Sequence, residues 1–394
     1  MKYIHQLHLQ GKRIFLRADL NVPLDNGGRI SDYRRVEETL PTIEYALKEG
    51  AAVVIASHLG RPQGKVDPRL TLKPVADYLS LRMDRSVQFA ADCVGPEARK
   101  QAEALKPGDL LLLENLRFHP EEEKNDPQFS KALSELAPLY INDAFGTAHR
   151  AHASTFGMVF HMEATAAGFI MEKEIETLRE VRDNPPSPFG LILGGAKAED
   201  KIDLISNLLK KVSFVLIGGA IANTFLKASG IEIGSSRHEP DKIEAARSIL
   251  KKAKDKGIEI HLPPDAIAAP DSSPNAERRL VAVDQLPAGW SILDIGPKTA
   301  ERFESQIAHA KTLFWNGPMG LFEIHAYREG TQRVAQAMAN SSELTVAGGG
   351  DTLAAIDEFE LHDKFRHVST GGGASLAYLA GKRLPAIEVL ETKL

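Results

Sequence analysis

The chain of 394 residues holds one cysteine, Cys93, so no internal disulfide can form and a reducing compartment is expected. It has no run of about 18 apolar residues, which excludes an ordinary membrane-spanning helix. Residues 1–12 lack the apolar centre of a secretion signal, and a cytoplasmic location is expected. Positive charge is not in excess. Lys and Arg total 48 against 53 for Asp and Glu, a formal net charge of −5. That balance excludes a broad nucleic-acid or anionic-membrane surface but leaves room for a local basic site that takes a small anion. The motif GxxxxGK[ST] is missing, as is GxGxxG between a strand and a helix, so neither a P-loop nor a Rossmann dinucleotide site is expected. His149 and His152 lack a third ligand at zinc-like spacing and read as structural or supporting residues. Cys93 has no activating partner nearby in sequence and reads as an inert small residue. The charged run 121–124 reads as a solvated loop.

What is present is an alternation. Short β-branched and leucine-rich runs at 13–16, 53–56, 110–113 and 139–141 read as strands, and so do 191–193, 214–217, 312–315, 345–347 and 367–369. Apolar residues at helical spacing fill 39–48, 72–81, 201–209, 243–254, 298–308 and 353–359. Such alternation predicts βαβ units with largely parallel sheets. The chain is 43% hydrophobic and 26% charged, enough to bury a core, and its length suits two domains. A helix at 171–182 runs into DNPPSP at 183–188, where three prolines in four residues forbid its continuation. The expected fold is therefore α/β with two Rossmann-like lobes, each a mostly parallel sheet flanked by helices. Residues 1–170 form one lobe, 171–184 an interdomain helix and 185–374 the other lobe.

In open α/β sheets, ligands meet the carboxyl ends of the strands. In the first half those ends carry Arg17-Ala-Asp19-Leu20-Asn21, Ser57-His58-Leu59-Gly60-Arg61, Glu114-Asn-Leu-Arg117 and a segment from Asn142 to Arg150. Guanidinium groups match carboxylate and phosphate oxygens two at a time, so four such ends suggest a small, multiply charged anion. The competing reading pairs these arginines with Asp19, Asp143 and Glu114. In the second half the same positions are glycines: Gly194-Gly195, Gly218-Gly219, Gly317 and Gly320, Gly348-Gly349-Gly350, and Gly371-Gly372-Gly373. Glycine lets backbone N–H groups approach a phosphate, although a tight turn demands it equally. Asp351, after three glycines, is either a magnesium ligand or the cap of a following helix.

Taken in order, LRADLNVP (16–23), SHLGRP (57–62), ENLRF (114–118), NDAFGTAHRAHAS (142–154), GGAKAEDKI (194–202), IGGAIANTFL (217–226), FWNGPMGLFE (314–323), AGGGDT (347–352) and STGGGASL (369–376) resemble the blocks of phosphoglycerate kinases from end to end. The resemblance implies a 3-phosphoglycerate site at Asp19, Asn21, Arg35, His58, Gly60, Arg61, Arg117 and Arg150, with Leu20 and Leu59 in the same segments. It implies that Lys197 faces the transferred phosphoryl group and Lys201 the nucleotide phosphates. Gly194, Gly218, Asn316, Gly317 and Glu323 would line the adenosine pocket. Gly349, Gly350, Asp351 and Thr352 would follow the phosphates, with Asp351 on Mg2+. Residues 375–394 would return to the first lobe.

The implied reaction is reversible phosphoryl transfer between 1,3-bisphosphoglycerate and ADP, giving 3-phosphoglycerate and ATP, with closure of the lobes. The acceptor is a carboxylate with a pKa near ~4, so no general base is required. Arg35, Lys197 and the N–H groups of Gly371 and Gly372 would stabilise the group in flight. Small-molecule substrates, a monomeric state and no nucleic-acid or membrane partner are implied. Departures from the family's usual residues occur at Leu20, Ala198, Glu199 and Ala377, and Glu199 puts a negative charge near the nucleotide phosphates. Two rivals are a solute-binding protein, which would need a secretion signal, and a kinase for another carboxylate.

Overall fold

The computed structural model describes every residue except Asn26, Ala198 and Leu394; the departure at Ala198 thus lies outside the described residues. The chain divides into two compact units, Met1–Glu176 with Arg383–Leu394, and Thr177–Lys382.

The first unit is built on six strands: β1 Arg13–Ala18, β2 Ala52–Ala56, β3 Val87–Ala90, β4 Leu110–Leu113, β5 Leu139–Asp143 and β6 Ala164–Ala167. They form one parallel sheet in the order β3-β4-β2-β1-β5-β6. Every residue of β2 and β4 is buried, as expected when helices cover both faces of a parallel sheet. Ile14, Leu16, Val53, Ile55 and Leu112 pack with Val36, Leu40 and Ile43 of the helix Arg34–Lys48 and with Val75 and Leu79 of the helix Lys73–Arg82. Each such side chain contributes roughly 1.5–3 kcal/mol by leaving water. The chain runs to one side of β1 through β2 and to the other through β5. That reversal opens a crevice at the carboxyl ends of both strands.

The second unit contains β7 Phe189–Leu193, β8 Phe214–Ile217, β9 Glu259–His261, β10 Asp265–Ala269, β11 Arg279–Ala282, β12 Ser291–Ile295, β13 Thr312–Asn316, β14 Leu344–Gly348 and β15 His367–Ser369. Six of them make a parallel sheet, β15-β14-β13-β7-β8-β9, whose order reverses between β7 and β13. The remaining three form a separate antiparallel sheet, β11-β10-β12, which the periodicity of the sequence did not reveal. Its strands lack a strong apolar run: β11 is largely exposed and β12 is buried only at its last two residues.

The helix Phe169–Asp183 carries the chain from the first unit to the second. Its start is held by Asp143, whose Oδ1 accepts the N–H of Ile170 at 2.8 Å and of Met171 at 3.1 Å. The return to the first unit begins at Arg383, later than the expected 375. The reason is local: the helix Gly373–Leu379 packs on the helix Glu199–Leu208, and Lys382 pairs with Asp203 at 2.8 Å. The final helix, Pro385–Thr392, buries Ile387, Val389 and Leu390, and Lys393 donates to the carbonyls of Val159 and Phe160 at 2.8 Å.

Candidate active site

The crevice of the first unit rests on Arg17, a fully buried residue of β1 that was not among the expected ligand contacts. Its Nε donates to Ser154 Oγ at 2.8 Å and its Nη2 lies 3.3 Å from His58 Nδ1. Ser154 in turn gives its hydroxyl to Glu122 at 2.5 Å and its N–H to the same carboxylate at 2.9 Å. Glu122 is completely buried, in a short helix Pro120–Glu123. This corrects the reading of 121–124 as a solvated loop. A buried carboxylate is what the buried guanidinium requires.

Arg35 pairs with Asp19 and Arg117 with Glu123 at 3.3 Å, so part of the competing salt-bridge reading holds. Glu114 instead accepts the hydroxyl of Thr71 and the N–H of Leu72, and Asp143 caps a helix; neither holds an arginine. The loop backbone is braced internally. Asn21 Oδ1 accepts the N–H of Gly60 at 2.8 Å, and Arg117 Nη1 donates to the Gly60 carbonyl at 2.8 Å. Leu20 and Leu59 also take part in this bracing: their side chains are in the core, and their N–H groups go to Ser57 Oγ and Asn115 Oδ1. Arg61 is exposed and Arg150 half-buried, its Nε 3.2 Å from His149 Nε2.

Several polar nitrogens around the crevice are short of partners. Asn142 Nδ2, His149 Nδ1 and His152 Nδ1 are buried without a hydrogen-bond partner among the described residues, and Arg117 Nε has only its 3.3 Å ion pair with Glu123. Burial holds the His58 imidazole well below its ordinary value against the pull of Asp19, and Arg17, Arg117 and Arg35 act in the same direction as burial. Burial, followed by Arg17, Arg117 and Arg150, brings His152 down to about 3. Both imidazoles are therefore neutral at neutral pH, inside a field of guanidinium charge. A small anion with several oxygens supplies the missing acceptors.

The depressed His152 value fixes the sign of a pH effect. Its contribution to stability is complete above the unfolded value of 6.5 and is lost as pH falls toward about 3, because the unfolded chain takes up the proton first. Thermal melts from pH 7 to 4 should therefore show a smaller loss of Tm for His152→Gln than for the parent chain. Parallel curves would remove His152 from the acid sensitivity.

In the second unit, glycines at two strand ends allow a close approach. A Cβ on Gly194 would stand 2.1 Å from the Pro318 carbonyl oxygen, and one on Gly317 2.3 Å from that of Gly194. Gly317 also has φ +94°, the left-handed region. Gly194 and Gly195 donate to the carbonyls of Asn316 and Pro318 at 2.9 and 2.7 Å, so the ends of β7 and β13 lie against each other. Beside them opens a cleft of about 470 Å³, the size of a small-ligand site. Glu323 and Asp351 line it, together with Asn223, Arg237 and Asp294, which the sequence reading missed.

Several residues expected to touch nucleotide build the walls instead. Asn316 Nδ2 donates to the Gly348 carbonyl at 2.6 Å, and Thr352 Oγ1 accepts the N–H of Gly317 at 2.7 Å. Gly194, Gly218 and Gly317 pack on the Gly317–Met319 and Gly194 backbone and on the Met319 side chain rather than lining the cleft. The helix Gly350–Glu358 is capped by Gly349, φ +102°, so Asp351 is not the cap; its exposed carboxylate belongs to the cleft. Lys201 is buried and donates to the Lys197 carbonyl at 3.2 Å, while Lys197 itself is exposed. Gly371 gives its N–H to Ser369 Oγ at 3.3 Å, and Gly372, φ +54°, caps the next helix. Glu199 is paired with Lys242 at 3.3 Å.

Asp294 shows why spacing alone could not find the rest. Its carboxyl is held by the N–H groups of Gly330 at 2.8 Å and Ile295 at 2.9 Å, one of them 36 residues away. Burial pushes its pKa up to about 7, against the lowering by those two N–H groups.

A basic, donor-rich crevice on one parallel sheet and a glycine-walled cleft with carboxylates on another define a two-lobed α/β phosphotransferase. The model of the family "Phosphoglycerate kinase" matches residues 4–382. The chain is 49% identical to the phosphoglycerate kinase of Koribacter versatilis and 50% identical to that of Moorella thermoacetica, with 99% of each chain covered in both cases. It superposes on the phosphoglycerate kinase of Coxiella burnetii with a TM-score of 0.90 at 41% identity, over 99% of this chain and 98% of that one. For the Pyrococcus horikoshii phosphoglycerate kinase the TM-score is 0.86 at 34% identity, over 100% and 99%. The chain belongs to the phosphoglycerate kinase family.

Proposed function

We infer that the enzyme transfers a phosphoryl group reversibly between 1,3-bisphosphoglycerate and ADP, yielding 3-phosphoglycerate and ATP. The observation that carries the substrate assignment is the cluster of Arg17, Arg117 and Arg150 charges around the buried His152, with Asn142 Nδ2, His149 Nδ1 and His152 Nδ1 lacking partners among the described residues. 3-Phosphoglycerate brings a carboxylate and a phosphate, whose oxygens complement those donors. The cleft at Glu323 and Asp351 is the proposed nucleotide site, with Glu323 toward ribose hydroxyls.

The acceptor carboxylate is ionised near neutral pH, so the protein has no proton to remove. Its task is to orient both substrates and to offset charge on the equatorial oxygens of the transferring group. Arg35, steered by Asp19, and Lys197 are proposed for that role. Gly372 is proposed to join them, and Gly371 can do so once its N–H leaves Ser369 Oγ. Closure of the lobes is proposed because water would otherwise hydrolyse the acyl phosphate.

Asp351 fits an oxygen-seeking cation, since its carboxylate is exposed on the cleft and is not used as a helix cap. Mg2+ held there would neutralise charge on the nucleotide phosphates. Asp351→Asn should therefore remove most of the gain in ADP affinity that Mg2+ gives the parent enzyme, while leaving 3-phosphoglycerate affinity and Tm unchanged. Calorimetry with and without Mg2+ checks this; an unaltered Mg2+ dependence takes Asp351 out of the metal site.

The working form is proposed to be a cytoplasmic monomer; among the described residues no helix is long and apolar enough to cross a membrane. A coupled assay comparing 3-phosphoglycerate with glycerate, acetate and aspartate as acceptors tests the whole reading. Equal or better turnover of a non-phosphorylated acid would move the enzyme to another carboxylate.

A further inference from the structure

Outside the reacting groups, one cluster of ligating side chains stands unexplained. Strands β3 and β4 are neighbours in the first sheet, which brings the segment after Ala90 beside the segment after Leu113. Asp92 and Cys93 lie on one and His119 on the other. Their ligating atoms, a carboxylate oxygen, the thiol sulfur and a ring nitrogen, all lie within 4.8 Å of one another. We propose that Asp92, Cys93 and His119 form a binding site for a single borderline-soft divalent cation of the zinc class, distinct from the nucleotide's metal.

The donor set selects the ion. Sulfur, imidazole nitrogen and one carboxylate oxygen suit Zn2+ and its neighbours, whereas Mg2+ and Ca2+ require a shell of oxygens. Bonds of about 2.3 Å to sulfur and about 2.0 Å to nitrogen and oxygen put tetrahedral ligands roughly 3.5 Å apart. A separation at the 4.8 Å limit needs to close by roughly 1.3 Å and the 2.7 Å His119–Asp92 contact to open by less than about an ångström, within the reach of side-chain rotations. An ion pair alone explains only two of the three members: His119 Nε2 is 2.7 Å from Asp92 Oδ1, and Cys93 also converges on that pair.

The cluster is graded in exposure. Cys93 is buried, the His119 side chain is 30% exposed and that of Asp92 54%, so an ion would enter from the carboxylate side with the sulfur at the inner end. Phe129 lies against the His119 ring at 5.2 Å and Asp92 Oδ1 accepts the Cys93 N–H at 2.6 Å, which limits the freedom of both loops. On binding, the thiol releases its proton to solvent and sulfur forms the metal bond. The fourth position is left to water, as in sites with three protein ligands.

The test uses the full-length, chelator-treated enzyme without nucleotide and Co2+ as the probe. One equivalent of Co2+ should produce a thiolate-to-cobalt charge-transfer absorption in the near ultraviolet, which Zn2+ then bleaches. Cys93 is the only cysteine, so the band has a single source. Cys93→Ala should abolish it. His119→Gln and Asp92→Asn, at positions open to solvent, should each weaken Zn2+ binding by about tenfold or more in competition with a chromophoric chelator. Absence of the band in the parent enzyme, or unchanged Zn2+ affinity in both His119→Gln and Asp92→Asn, overturns the site and leaves His119 and Asp92 as an ion pair.

Discussion

Replacing Lys197 by methionine should lower kcat by about 10²–10³ and kcat/KM by a similar factor. Lys197 is exposed and its neighbour Lys201 is buried against its carbonyl, so the substitution removes a charge from solvent without opening the core. In water that charge contributes little to binding nucleotide alone. It gains strength when water is excluded around the reacting groups, where charge interactions are several-fold larger. An interaction made chiefly in the transition state lowers both kinetic parameters together when lost. Arg35→Met should behave similarly but also weaken 3-phosphoglycerate, because Arg35 shares the crevice with Asp19. Steady-state kinetics with circular dichroism to establish folding decides this. A folded Lys197→Met enzyme with near-normal kcat and a raised nucleotide KM would make Lys197 a binding residue only.

Arg17→Met should destabilise the first unit by about 3–5 kcal/mol. Arg17 is completely buried and reaches Glu122 through the Ser154 hydroxyl. Burial already pushes the Glu122 carboxyl above the usual range, and Arg17 is the first of the charges that draw it back. Without the guanidinium the carboxylate is stranded in the core. Its folded pKa would rise further above the unfolded value, so the deficit should grow as pH climbs from 5 to 8. Arg17→Met with Glu122→Gln should recover part of the loss, since removing both charges removes the stranded one. Urea unfolding of the four chains at both pH values measures the coupling. Additive losses with no pH dependence would show that the two groups do not act as a pair.

The same two groups mark the limit of reading from sequence. Arg17 stands at the head of a strand-end segment and was noticed there, but Glu122 sits in a charged run that looks solvated. Only the packing of Pro120–Glu123 against Ser154 makes it a core residue. The ends of the strands were legible because parallel strands need continuous apolar runs, and β2 and β4 supply them. The antiparallel sheet β11-β10-β12 was not, because exposed, short strands leave no period to detect.

The cleft residues divide in the same way. Asp351 was reached from its place after three glycines and Glu323 through the family's blocks, whereas Arg237 and Asp294 have no local signature. Of the two uses of Asp351, the helix cap falls to Gly349, which occupies that position with a positive φ.

What the sequence determined by itself is the class of fold, the alternation of its main strands and helices, and which strand ends carry charge and which carry glycine. These follow from periodicity and from residue chemistry, both of which are local along the chain. Tertiary structure decided what each group does there. It made Leu20, Leu59, Asn316 and Thr352 braces, and left nitrogens of Asn142, His149 and His152 without a partner among the described residues. It also brought Cys93 to His119 across neighbouring strands. Burial and partnership depend on residues far apart in sequence, and a hydrogen bond already made inside the protein is one that a ligand cannot use.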